Sequence, residues 1–148
     1  ARIGSGLRTL ILRCPVPILA VPGRPCHLGS ALLAYDGSPK GEEALFVAAY
    51  VAGRWQLGLK VVTVSERGRT DDSTIRRARE YLEQQDVVAE YIERTGEVAP
   101  EILEVAQGLD DLLLIMGGYG HHPVLEAVVG STVDEILRAG IHPVLICK

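Results

Sequence analysis

The most informative part of the chain reads Leu112-Leu113-Leu114-Ile115-Met116-Gly117-Gly118-Tyr119-Gly120. Five consecutive apolar residues followed directly by glycines predict a strand that ends in a tight loop. A strand without polar alternation must be covered on both faces, which is typical of a central strand in a parallel sheet between two layers of helices. This stretch therefore favours an α/β fold.

The chain around this stretch alternates strand-like and helix-like patterns from Leu28 onward. Strands are predicted at 31–35, 60–64, 87–92, 112–116 and 144–147. Helices are predicted at 42–55 (closed by Gly58), 75–85, 99–107 and 132–139. Because such alternation implies right-handed crossovers, we expect a doubly wound, five-stranded, mainly parallel sheet of the Rossmann-like kind, with helices on both faces.

Composition and charge exclude several classes of protein. The chain has 148 residues, of which 47% are hydrophobic and 23% charged, and this fits a folded unit of about one domain. A net charge of -4 argues against nucleic-acid binding, and no apolar run approaches the ~20 residues that span a bilayer. Three cysteines, Cys14, Cys26 and Cys147, do not make a disulfide framework, so we expect a reducing, cytoplasmic setting.

An internal repeat links the two ends of the sequence. A shift of 126 residues lays 1–22 over 127–148 without a gap, and five of the resulting pairs are identical: Ala1/Ala127, Gly4/Gly130, Ser5/Ser131, Pro17/Pro143 and Leu19/Leu145. We therefore expect residues 1–27 to be the end of a preceding unit plus a linker, and 28–148 to be a complete domain. Strand 144–147 would otherwise be an open edge, so segment 18–21 is predicted to pair with it, in its own chain or in a neighbour, with the helical stretch 7–12 nearby.

Three segments meet where ligands bind in such sheets, at the carboxyl ends of the strands. They are Asp36-Gly37-Ser38, Gly117-Gly118-Tyr119-Gly120 and Gly130-Ser131-Thr132. Glycines allow backbone N–H groups to approach an anion closely, and a helix N-terminus adds unpaired donors, so together the segments predict a phosphate cradle. The P-loop motif is absent, and a dinucleotide-like GxGxxG fails because Pro123 occupies its third glycine position.

The spacing Gly117-x2-Gly120-x9-Gly130-Ser131 resembles the G-2x-G-9x-G-[S/T] signature of nucleotide-binding universal stress proteins. The likeness extends from Asp36-Gly37-Ser38 to the Pro143-Val144-Leu145 ending, and 1–22 resembles the end of a second such domain in tandem members of that family. The resemblance implies a stress-response regulatory module that binds ATP, or ADP or AMP, with or without Mg²⁺. It also implies dimer contacts through the last strand, either in a homodimer or between two domains of one chain.

The resemblance also implies roles for individual residues. Asp36 would bind the ribose or the adenine from the turn that also contains Ser38, Ala34 would line the base pocket, and the backbone of Val64 would meet the adenine edge. Met116 and Gly117 would lie along the ribose and the first phosphate. The phosphate chain would be held by the remaining motif positions, Gly120, Gly130, Ser131 and Thr132.

Simpler interpretations compete with several of these roles. Ser131 and Asp134 form an S-x-x-D capping box that starts a helix without any ligand, and Asp36 fits a turn or N-cap residue. His121-His122 suggests a metal, but no third ligand lies within sequence reach, so no metal site is predicted. No catalytic residues are predicted either, and two alternatives stay open: a slow ATPase or phosphotransferase at the same cradle, or a nucleotide-free dimerisation scaffold.

Overall fold

The computed structural model describes residues 3–24, 26–66, 72–119 and 131–148. Within these ranges the helices are α1 (Ser5–Arg13), α2 (Pro39–Trp55), α3 (Asp72–Gln84), α4 (Val98–Gln107) and α5 (Thr132–Ala139). The strands are β1 (Ile18–Ala20), β2 (Ser30–Ala34), β3 (Gly58–Ser65), β4 (Ala89–Thr95), β5 (Leu112–Gly117) and β6 (Val144–Cys147).

The strands form one sheet in the order β1-β6-β5-β2-β3-β4. Neighbouring strands are parallel except for β1 and β6, which are antiparallel. The predicted α/β fold with a mainly parallel sheet is confirmed, and the five predicted strands of 28–148 are all present. The sheet differs from the prediction in having a sixth strand, because β1 joins its edge.

The two central strands explain why the sheet needs helices on both faces. β2 pairs with β5 so that Leu32 faces Leu114 and Leu33 faces Ile115, and all four side chains are at most 2% exposed. Alternate residues of these strands pack into two separate clusters, one with α2 and α3 and the other with α1, α4 and α5. The uninterrupted apolar run of β5 is thus buried in both directions, as the sequence predicted.

Helix α2 differs from the prediction in its first residue and in the residue that closes it. It begins earlier, because the Ser38 side chain accepts a hydrogen bond from the backbone N–H of Gly41 at 3.0 Å and so serves as the N-cap in front of Pro39. Its last residue is Trp55, as predicted, but the C-cap is Gln56, which adopts left-handed geometry with φ 54°, so the prediction that Gly58 closes the helix is wrong. Gly58 is instead the first residue of β3.

Strand β4 starts two residues later than the pattern suggested and ends three residues later. The backbone N–H of Val87 donates to the carbonyl of Leu82 at 2.9 Å, so Val87 still closes the end of α3. Its partly buried side chain packs against the core from that position, which gives it the apolar character that the pattern assigned to a strand.

The N-terminal segment joins the sheet through its own chain. β1 pairs with β6 in a register that places Leu19 opposite Leu145, which are also the residues matched by the sequence repeat. Ile11 of α1 is 4% exposed and belongs to the same cluster as Ile146. The predicted pairing of segment 18–21 with the last strand is therefore confirmed within one chain, whereas the assignment of residues 1–27 to a preceding unit stays a prediction.

Among the residues that the structure describes, no helix has the length and apolar character needed to cross a membrane.

Candidate functional site

A cleft of about 780 Å³ lies at the carboxyl ends of β2, β3 and β5. The chain leaves β2 towards β3 and β4, whereas β5 and β6 lie on the other side of β2, so β2 and β5 flank the switch point of the sheet. The first residues of α2, α4 and α5 also line the cleft. This is the place where open α/β sheets bind ligands, with helix N-termini directed at them.

The residues singled out from the sequence converge on this cleft. Eight of the ten lie within the described residues, and all eight line it: Ala34, Asp36, Ser38, Val64, Met116, Gly117, Ser131 and Thr132. Gly120 and Gly130 lie outside the described residues. The structure thus brings these eight residues together, while the role of each residue towards a ligand stays a prediction.

One side of the cleft is apolar. Its lining comes from the strands and from α4, namely Ala34, Val62, Val64, Val98, Ala99, Pro100, Ile102 and Met116. Such a wall fits the face of a flat group, because burying apolar surface against apolar side chains is favourable.

The turn at Asp36 is stabilised by hydrogen bonds between its own residues. Asp36 Oδ1 accepts from the backbone N–H of Ser38 at 2.9 Å and from the Ser38 hydroxyl at 2.6 Å. Gly37 makes this turn possible, because its φ of 75° is strained for any residue with a side chain. Asp36 is therefore a turn residue whose exposed carboxylate also faces the cleft, so the turn interpretation and the binding interpretation are compatible.

Ser131 is the N-cap of α5. Its side-chain oxygen accepts from the backbone N–H of Asp134 at 3.2 Å, as the capping-box interpretation predicted. The Asp134 carboxylate has other partners, because it accepts a hydrogen bond from the Tyr119 hydroxyl and lies 3.7 Å from a guanidinium nitrogen of Arg8. Ser131 and Thr132 remain half-buried at the edge of the cleft.

Tyr119 links the loop after β5 to α5. Its side chain is 2% exposed, and the guanidinium carbon of Arg8 lies 5.3 Å from the centre of its ring. Burial, followed by the hydrogen bond to Asp134, raises the pKa of Tyr119 well above its ordinary value. The hydroxyl therefore stays protonated and keeps donating to the carboxylate throughout the physiological pH range.

A second trio with the same chemistry lies on the other side of the switch point. Tyr35 directly follows β2 and donates its hydroxyl hydrogen bond to Glu42 in α2, while Nε of Arg77 in α3 lies 2.8 Å from the same carboxylate oxygen. Burial, then this hydrogen bond, raises the pKa of Tyr35 as well. Each trio ties the start of a helix to the end of a buried strand, and so fixes one wall of the cleft.

Lys40 is a lining residue that the sequence analysis missed. It lies in the first turn of α2, and its ammonium group donates to the carbonyl oxygen of Tyr119 across the cleft. A lysine in the first turn of a helix interacts unfavourably with the helix dipole. This placement could have indicated, from the sequence alone, that Lys40 has a partner elsewhere. The two tyrosines could also have been noticed, because Tyr35 is the last residue of one predicted strand and Tyr119 comes soon after another, in a chain with only five tyrosines.

The charge of the cleft is mainly negative among the described residues. Lys40 is its one basic lining residue there, and its acidic lining residues are Asp36, Glu66, Glu97 and Glu135. No group of three or more histidine, cysteine, aspartate or glutamate side chains in the described part of the chain is arranged to hold a metal ion. His121 and His122 lie outside the described residues.

Comparison with known proteins identifies the family. The model of the Universal stress protein family matches residues 69–148, more than half of the chain. Universal stress protein Slr1230 of Synechocystis sp. is 28% identical over 145 residues, which cover 97% of this chain and 50% of that protein. The chain thus spans about half the length of this curated relative.

Solved structures share the fold. A universal stress protein from Archaeoglobus fulgidus superimposes with a TM-score of 0.81 at 23% identity, covering 95% of this chain and 52% of that one. A universal stress protein solved in complex with cAMP has a TM-score of 0.70 at 17% identity, covering 84% of this chain and 99% of that one.

The close approach of β5 to α2 yields a prediction about Gly117. A Cβ there would lie 2.9 Å from the backbone carbonyl carbon of Lys40, so we expect Gly117→Ala to push α2 away from β5 and lower the free energy of unfolding by about 1–3 kcal/mol. Gly53→Ala is the matched control, because Gly53 lies inside α2 and a Cβ there would meet no atom within 4 Å, and we expect a gain of about 0.5–1 kcal/mol. Urea denaturation measures both, and an unchanged midpoint for Gly117→Ala would contradict this packing.

Proposed function

The chain belongs to the universal stress protein family, and from that premise we propose that it is a regulatory module that binds an adenine nucleotide in the cleft between β2 and β5. The observation that carries this proposal is the division of the cleft into an apolar part and a polar part. A nucleotide has the same division, with a flat base at one end and phosphate at the other.

The apolar part suits the base. Val64 and Met116 lie at the ends of β3 and β5, and Val98 at the start of α4 also lines the cleft. Because these side chains lie on regular elements rather than in a loop, the pocket is formed before the ligand arrives. A preformed pocket reduces the entropy lost on binding.

The polar part suits phosphate. Ser131 and Thr132 open α5 at the edge of the cleft, where backbone N–H groups in the first turn have no partner within the helix. The solved relative in complex with cAMP adds support, because its fold is the same and its ligand contains an adenine and one phosphate.

The charges of the cleft favour ligands with few phosphates. Four carboxylates and one lysine line its described part, and the sequence between Tyr119 and Ser131 contains no arginine or lysine. Two like charges roughly 6 Å apart in water repel by about 0.7 kcal/mol, so each added phosphate charge weakens binding unless a cation accompanies it. We therefore infer that AMP-like ligands bind better than free ATP.

Blocking the apolar part of the cleft should weaken nucleotide binding. We expect Val64→Trp to raise the dissociation constant for AMP by about tenfold or more, because the larger ring occupies the space of the base. Val88→Trp is the control, since Val88 is 92% exposed and lies outside the cleft, and its affinity should match that of the wild type. Isothermal titration measures both; equal affinity of Val64→Trp and wild type, or no binding of AMP by the wild type, would refute the proposed site.

Affinity should fall as the negative charge of the nucleotide rises. At low salt and without magnesium, we expect AMP to bind more tightly than ATP, and Glu135→Gln to narrow the difference, because Glu135 lies beside Ser131 and Thr132 on the rim. Glu104→Gln removes an exposed charge of α4 that does not line the cleft, and should leave the difference unchanged. Tighter binding of free ATP than of AMP under these conditions would overturn the charge argument.

A further inference from the structure

We propose that Arg8 neutralises Asp134 beside the phosphate end of the cleft, so that docking of the α1–β1 segment and binding of an anionic nucleotide strengthen each other. This linkage rests on the proposed nucleotide function and adds a regulatory role for the N-terminal segment. Neither Arg8 nor Asp134 belongs to the motif Gly117-x2-Gly120-x9-Gly130-Ser131.

Asp134 is a buried negative charge close to the cleft. Its side chain is 7% exposed, it lies in the first turn of α5, and its backbone N–H is bound by the cleft-lining Ser131. A carboxylate at this position cancels the attraction that a helix N-terminus offers to an anion. The neighbouring hydroxyl of Tyr119 stabilises the charge by a hydrogen bond but does not neutralise it.

Arg8 supplies the opposite charge. One of its guanidinium nitrogens lies 3.7 Å from Asp134 Oδ2, and the group also lies over the ring of Tyr119, which lines the cleft. This is the ion pair that Asp134 makes within the described part of the chain. With Arg8 in place, the pair is close to neutral towards a phosphate; without it, a full negative charge is left buried beside the ligand.

The position of Arg8 depends on strand pairing at the edge of the sheet. Arg8 lies on α1, which is connected to β1, and β1 reaches the sheet through its antiparallel pairing with β6. The Lys148 ammonium also donates to the carbonyl of Leu12 at 3.0 Å, which ties the end of α1 to the end of the last strand. Loss of these contacts would withdraw Arg8 from Asp134.

Binding equilibria that share such a contact are reciprocal. If the docked α1–β1 segment raises nucleotide affinity by some factor, the nucleotide must raise the stability of the docked segment by the same factor. Because the link is electrostatic, it should act on phosphate-bearing ligands and leave an uncharged nucleoside almost unaffected. This distinguishes neutralisation by Arg8 from a general loosening of the cleft.

The first experiment compares AMP and adenosine by isothermal titration. We expect Arg8→Leu to raise the dissociation constant for AMP by about fivefold or more, with little change for adenosine. Arg13→Leu is the matched control on the same helix, because Arg13 is exposed and outside the cleft. Adding Asp134→Asn to Arg8→Leu should restore AMP affinity, since the uncompensated charge is gone. An equal loss for AMP and adenosine, or no loss for AMP, would overturn the proposal.

The second experiment measures hydrogen exchange of the full chain with and without AMP. We expect AMP to slow exchange of the Ile18–Ala20 amides in the wild type by the factor found in the titration, and to have no such effect in Arg8→Leu. If AMP leaves the exchange rates of these amides unchanged in the wild type, the linkage is refuted. Failure of the wild type to bind AMP would instead refute the proposed function, so the two failures are distinguishable.

Discussion

The parallel pairing of β2 with β5 is the constraint on which the rest of this structure depends. Both strands are buried on both faces, so each must be covered by helices above and below, and the chain leaves the two strands towards opposite sides of the sheet. A cleft therefore opens between the carboxyl ends of the two strands. The absence of a side chain at Gly117 lets the first turn of α2 approach β5 and brings Lys40 to that cleft. The fold and the candidate site thus have a common origin.

The edge of the sheet shows a second organising feature, an approximate two-fold relation between α1–β1 and α5–β6. Residues matched by the repeat face each other twice, Leu19 with Leu145 in the strands and Arg8 with Asp134 in the helices. Leu19 and Leu145 pair at the centre of the β1–β6 ladder. Arg8 and Asp134 have opposite charges, so α1–β1 and α5–β6 are complementary rather than identical. A pairing of two β6 strands in the same register would set two copies of Asp134 against each other, and like charges disfavour that arrangement.

Much of this architecture could be predicted because the patterns are local. The apolar run of β5 indicated a doubly covered strand, Thr132–Ala139 and Val144–Cys147 have the predicted bounds, and the repeat indicated the partner of β6. The start of β4 was predicted two residues too early because Val87 is apolar. Its side chain packs against the core while its backbone N–H closes the end of α3, so it does not belong to the strand. Lys40 was missed for a different reason: its partner Tyr119 lies 79 residues away in the sequence, and the pattern of either segment alone does not indicate such a contact. The hydroxyl contacts of Tyr35 and Tyr119 are nearer in sequence, but each joins a residue after a strand to a carboxylate in a different element, and hydrophobic periodicity does not indicate that pairing either.

Binding of an adenine nucleotide in the cleft between β2 and β5 can be tested by an NMR titration of the ¹⁵N-labelled chain with AMP. We expect chemical-shift changes at the amides of Ala34, Val64, Ser131 and Thr132, which belong to different elements or their ends and come together at this cleft. Amides around Val88, which is 92% exposed and outside the cleft, should keep their shifts. Unchanged spectra at millimolar AMP, or changes confined to residues away from the cleft, would show that the nucleotide does not bind there.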